Sequence, residues 1–168
     1  DIIRHSWSES SATAHWRKRP DKKQPFFSIF NLMASHQSRS MVWPYERFKK
    51  YVQSRLSVNE IHDPTKVPLP PYYPDTPLIR RDLARFYDCV TAMDKEVGAI
   101  LQQLEDDGLA DNTIVIFTSD HGFHLGEHDF WAKVSLLDES SQVPLIISVP
   151  GQKSAVCHSF VELLDLYP

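Results

Sequence analysis

Cysteine is nearly absent from this chain: Cys89 and Cys157 are the only two. Two thiols cannot define a disulfide framework, and Cys89 sits within a helical pattern where a small buried thiol is expected. No apolar run approaches the ~18 residues that a bilayer-crossing helix needs, so no membrane span is expected. The chain opens on Asp1 without a basic, apolar and small-residue leader, so any targeting segment is expected to lie outside these residues. Internal repeats and low-complexity segments are missing too. No nucleic-acid-binding motif is found and the net charge is −4, which together argue against a nucleic-acid partner.

What is present is ordinary globular material, 42% hydrophobic and 24% charged over 168 residues. That suffices for one domain burying roughly 70% of its unfolded surface. The charge is uneven: residues 1–50 carry ten Lys/Arg against four Asp/Glu, the remainder eight against eighteen. The run Arg17-Lys18-Arg19 with Lys22 and Lys23 could face a polyanion, although such a run more often forms a solvated loop.

Along the chain, a surface helix is expected over Ser10 to Arg19. Pro25 then opens an apolar, aromatic-rich run to Met33 that reads as a buried strand. Tyr45, Phe48, Val52 and Leu56 recur at spacings of three and four after Pro44, predicting a short amphipathic helix. Six prolines between Pro64 and Pro77 favour an extended loop, anchored by Leu69, Tyr72 and Tyr73. Thr76 or Asp75 with Pro77 should cap a long helix carrying Ile79, Leu83, Phe86, Val90, Met93, Val97, Ile100 and Leu104, which Gly108 stops. Thr113 to Thr118 and Pro144 to Val149 read as buried strands covered on both faces. Leu136 to Ser141 reads as a turn or short helix, and a last helix is expected from Val161 to Tyr167.

Chemistry concentrates after Thr118. Asp120 offers carboxylate oxygens and His121 an imidazole nitrogen, so the pair could face one divalent cation if Gly122 lets the backbone turn. Lys133, twelve residues on, could neutralise an anion held there. Taken singly, the same residues fit a turn-capping aspartate, a surface histidine and a snorkelling lysine. His121, His124 and His128 invite a zinc reading, but Gly122 and Gly126 disfavour the helix it needs and no cysteine is near.

The joint pattern is more specific. Thr-Ile-Val-Ile-Phe-Thr-Ser-Asp-His-Gly from Thr113, Leu125-Gly126-Glu127-His128, Trp131-Ala132-Lys133, Val143-Pro144-Leu145-Ile146-Ile147 and Pro150-Gly151 resemble the sulfatase branch of the alkaline-phosphatase superfamily. Pro25-Phe26-Phe27 through Ala34-Ser35-His36 resembles the sulfatase strand that ends in an active-site histidine, and Gln37 to Ser40 with the proline-rich loop is similar to the heparan N-sulfatases. The Leu-Gly-Glu-His and Trp-Ala-Lys runs resemble iduronate-sulfatase-like enzymes.

The resemblance implies an α/β chain, part of a three-layer αβα alkaline-phosphatase-like fold with a mostly parallel central sheet. Residues 1–168 would form part of one catalytic domain lacking its nucleophile segment and C-terminal portion. It implies Asp120 and His121 as metal ligands, His36 and Lys133 as catalytic and sulfate-binding residues, and Arg39 as a further substrate contact. Calcium is the expected ion, with manganese or zinc admitted by the imidazole.

The family's nucleophile is a formylglycine made from a Cys/Ser-x-Pro-x-Arg motif that this sequence does not contain. It is therefore expected upstream, installed by a formylglycine-generating or anaerobic sulfatase-maturing enzyme, and the isolated chain is expected to be inactive. The implied reaction is hydrolysis of a sulfuric ester or N-sulfate of a carbohydrate, as in glycosaminoglycan degradation, in a periplasmic, secreted or lysosomal setting. Alternatives are a phosphonate or phosphate ester hydrolase of the same superfamily and a non-catalytic carbohydrate-binding relative.

Overall fold

The computed structural model describes residues 7–166. It divides after Met33 into two compact units. The first is held by aromatic rings: Trp16 is buried and lies 5.8 Å from Phe26 and 5.6 Å from Phe30, centroid to centroid. The helix expected from Ser10 to Arg19 shrinks to one 3₁₀ turn, Trp16–Lys18, capped by the His15 ring, which accepts from the Arg17 amide. The Pro25 to Met33 run forms no strand among the described residues, and Phe27 and Ile29 are exposed. Its β-branched and aromatic composition has no sheet partner there to bury it.

The second unit is built on α2 (Pro77–Asp106). Thr76 caps it through Oγ1, which accepts from the Ile79 amide, and Pro77 occupies its first turn. At the far end Gly108 takes φ +67°, and the Gly108 and Leu109 amides donate to the Glu105 and Leu104 carbonyls. That pair of bonds is a Schellman stop.

α1 (Tyr45–Tyr51), continued by a 3₁₀ turn at Gln53–Arg55, lays Phe48, Val52 and Leu56 against Ala34, Cys89 and Ala92. The buried face of α2 is thus offset from the expected stripe. Val90 is exposed, while Cys89 and Ala92, small enough for α1 to approach closely, are covered. Burial pushes the Cys89 thiol up to about 12, so it is inert packing.

The proline-rich loop lies along the start of α2. Val67 and Leu69 pack with Leu83 and Ala84, and Arg80, paired with Asp75 at 2.8 Å, donates to the carbonyls of Thr65 and Val67. Asp88, also buried, accepts from the His62 amide and from Gln53, at 2.8 Å each.

The sheet differs from the parallel expectation. β1 (Val115–Thr118) pairs antiparallel with β4 (Leu145–Ser148), and β2 (His124–Leu125) pairs antiparallel with β3 (Trp131–Ala132); no parallel pair occurs among the described residues. Thr118 stands opposite Leu145, so the connection between them keeps to the end where β1 finishes. The chain must therefore return in the opposite sense. Nor are these strands buried: Ile116, Ile146 and Ile147 are about half exposed. The mix of helix and strand fits an α/β class.

α3 (Asp138–Ser141) is a single turn, and only a 3₁₀ turn, Leu163–Asp165, stands where the last helix was expected; Tyr167 lies outside the described residues. No described helix is long and apolar enough to cross a membrane.

Candidate active site

Two hydrogen-bonded segments meet at the end of β1. The β2–β3 hairpin sets His124 opposite Ala132 and Leu125 opposite Trp131, so the residues before His124 are brought alongside those after Ala132. The contact is direct. Val134 donates its amide to His121 Nε2 at 3.3 Å, and His124 Nε2 meets Ser135 Oγ at 2.7 Å.

Glu127 keeps the hairpin closed by accepting from the Leu125 amide at 2.6 Å and from the Tyr72 hydroxyl at 2.9 Å. Burial alone would raise its carboxyl, but these donors hold it below the usual carboxylate range. Gly126 sits at φ +105°, and a Cβ there would collide with the Tyr73 hydroxyl.

Asp120 is exposed, and Lys133 is half-buried. Neither side chain makes a hydrogen bond or ion pair with any described residue. His121 donates from Nδ1 to the Gly122 carbonyl at 3.0 Å, which leaves Nε2 as its lone-pair nitrogen. That lone pair already accepts the long Val134 bond, which a cation would displace. Asp120 and His121 therefore suit part of a metal shell, but no group of three or more His, Cys, Asp or Glu that could hold an ion occurs among the described residues. His124 and His128 are spent elsewhere: His124 is fully buried against Ser135, and His128 lies 3.6 Å from Glu139.

His36 stands just before a single π-helical turn, Ser38–Val42. Its Nδ1 accepts from the Ser38 amide at 3.3 Å and meets the Ser38 hydroxyl at 2.8 Å, so the ring proton belongs on Nε2. No hydrogen bond, ion pair or ring contact joins His36 to Asp120, His121 or Lys133 among the described residues. Arg39 lies over the Trp43 ring at 3.8 Å, with Arg47 at 4.3 Å from the same ring centroid. None of Asp120, His121, His36 or Lys133 lines the cavity of about 330 Å³ beside α2, although near neighbours in sequence do. Ser40, four residues after His36, and Trp131, two before Lys133, both line it.

The sequence reading missed three contributors. Glu127 was visible as part of a motif, but its hairpin-closing role was not. Ser135 reads in sequence as one more loop serine, and Arg85 carried no signal because the Arg39 and Trp43 carbonyls that hold it lie 46 and 42 residues away. It also missed strain: Ala132 and Val134, flanking Lys133, sit at φ +79° and +83°, a region that a β-branched residue seldom enters. Val134 is largely exposed, so Val134→Gly should relieve strain without opening a cavity. A gain of about 1 kcal/mol is expected from denaturant unfolding; an unchanged midpoint would mean that the position is unstrained.

The Sulfatase family model matches residues 11–168. An ulvan-active sulfatase of Formosa agariphila is 37% identical across 89% of this chain and 28% of its own length. Human iduronate 2-sulfatase is 46% identical across 42% of this chain and 13% of its own. Human N-sulphoglucosamine sulphohydrolase is 38% identical across 65% and 22%. The chain thus spans less than a third of each of these relatives. Since the match runs from residue 11 to residue 168 and takes in both segments that meet beyond β1, this chain belongs to the sulfatase family.

Proposed function

We propose that the protein carrying this chain hydrolyses a sulfuric ester or N-sulfate of a carbohydrate and releases sulfate. The observation that carries this reading is the bond between His121 and the Val134 amide. It draws the carboxylate and imidazole after β1 to the strained turn that presents Lys133, with Asp120 and Lys133 spent on no other described residue. The relatives' names support the substrate class, since they specify ulvan, iduronate 2-sulfate and N-sulphoglucosamine.

In this reading Lys133 balances the charge on the non-bridging sulfate oxygens as a point charge with three donors. His36 acts in its doubly protonated form, with Nδ1 donating to the Ser38 hydroxyl; Nε2 gives its proton to the bridging oxygen or nitrogen as the bond to sulfur breaks, which leaves a neutral imidazole and keeps the electron pair with the sugar. Asp120 and His121 are the residues that would hold a divalent cation, calcium first and manganese or zinc next. Such an ion, when bound, supplies Lewis-acid polarisation of the sulfate.

Two donors do not complete a shell, so further ligands and the formylglycine nucleophile are assigned to sequence beyond this chain, with a maturing enzyme as partner. Arg39, stacked on Trp43, is the proposed outer contact for the sugar.

The test is turnover by the full-length protein of a sulfated monosaccharide against the matched phosphate and phosphonate esters. Sulfate release should exceed the others by at least about 100-fold, a difference of roughly 2.7 kcal/mol in barrier. Preference for the phosphorus esters, or sugar binding with no turnover of any, would overturn the reading.

A further inference from the structure

The cavity lined by Ser40 and Trp131 carries chemistry that sulfate hydrolysis does not use. Arg85 lines it and is only 7% exposed, an unusual place for a guanidinium. Its Nη2 donates to the Trp43 carbonyl at 2.8 Å and the Arg39 carbonyl at 3.4 Å, and its carbon stands 4.8 Å from the Phe48 ring centroid. Its Nε is buried with no hydrogen-bond partner among the described residues. A second guanidinium, Arg81, lines the same cavity and is held through Nε by Asp82 Oδ1 at 3.2 Å. Asp82 is also in the lining, so these three groups leave one net positive charge. The same lining includes two aromatic rings, Tyr73 and Trp131, with centroids 5.9 Å apart.

We propose that this cavity is a subsite for an acidic sugar ring, with Arg81 and Arg85 taking an anionic substituent, a carboxylate or a second sulfate, and Tyr73 and Trp131 facing the ring. About 330 Å³ is at the small end of ligand sites and suits one ring. A planar guanidinium matches either anion, and aromatic faces suit the apolar side of a sugar. Burial also holds the Arg85 guanidinium below its ordinary range, a cost that an incoming anion offsets. The proposal rests on the sulfatase reading only in taking a sugar as the occupant.

Calorimetric titration of the full-length protein with glucuronate, glucose 6-sulfate and glucose tests it. At least one anionic sugar should bind about tenfold tighter than glucose, the worth of one charge-assisted bond. Glucuronate alone would identify a carboxylate site, glucose 6-sulfate alone a sulfate site. Arg81→Gln should erase the preference, as should Arg85→Lys. Arg81 is half exposed, so its loss does not threaten folding as loss of Arg85 would. The preference should persist in Lys133→Ala. Equal binding of all three sugars, or a preference lost with Lys133 and kept without Arg81, would overturn the subsite. Discrimination without sulfate release would retain the subsite and end the sulfatase reading; release without discrimination would do the reverse.

Discussion

Lys133→Ala is expected to lower kcat/KM of the full-length enzyme for a sulfate ester by roughly 10²–10³-fold, the usual effect of removing a donor to developing negative charge. The expectation follows from where the ammonium is held. Lys133 is half-buried, has no anionic partner among the described residues, and lies between two residues at positive φ. A lysine whose only task was solubility would extend into water and would not need its backbone strained on both sides. Strain of this kind persists where surrounding structure enforces it, and it clusters at functional sites.

The fall should appear in kcat at least as much as in KM, because the charge on the sulfate oxygens is redistributed as the bond breaks. Lys133→Arg should recover little, since a planar fork cannot replace a compact ammonium. Activity within about twofold of the parent would make Lys133 a surface residue and leave His36 as the one side chain of this chain proposed to act on the sulfate group.

How much of this was legible beforehand depends on the range of the interactions concerned. α2 was readable almost to the residue because its cap, its first-turn proline and its Gly108 stop are all local. The strands were not. Val115 to Thr118 has the composition of a buried parallel strand, yet what covers a strand and which way its neighbour runs are decided elsewhere in the chain. The buried face of α2 was misjudged in the same way: the large apolar residues suggested a stripe through Val90, whereas α1 sits on the small ones.

At the site, residue types and spacing picked out Asp120, His121 and Lys133. The bond that joins the two segments runs from a backbone amide to a ring nitrogen, which no spacing rule encodes. Arg85 reads in sequence as one more charge on a helix surface, and only the fold shows it buried.

Gly122 is the position where a single added methyl should do most damage to the scaffold. The sequence suggested a glycine needed for a sharp turn, but its φ is not in the left-handed range; what the site requires is space. A Cβ at Gly122 would lie 2.0 Å from the Glu139 carbonyl oxygen, 2.9 Å from the carbon bearing it and 3.3 Å from the Ser140 Cα. All three are backbone atoms, so no rotamer change relieves the clash. Either the turn or α3 must move.

The Gly122 amide donates to the Ser140 carbonyl at 2.8 Å, and the Ser140 hydroxyl accepts from Ser135, which holds His124. Displacement would therefore spread along the chain of bonds that aligns the His121 turn with Lys133. Gly122→Ala should cost about 2–3 kcal/mol in unfolding free energy, the range for forced overpacking. The surviving folded enzyme should also lose about 100-fold in kcat/KM through misplacement of Asp120 and His121.

Gly98→Ala provides the matched comparison, because Gly98 lies within α2 with no described residue within 4 Å of the added carbon. There the substitution should stabilise by about 0.5–1 kcal/mol. If both variants unfold at the midpoint of the parent and turn over substrate at its rate, the close approach of the β1 turn to α3 is not what aligns the site.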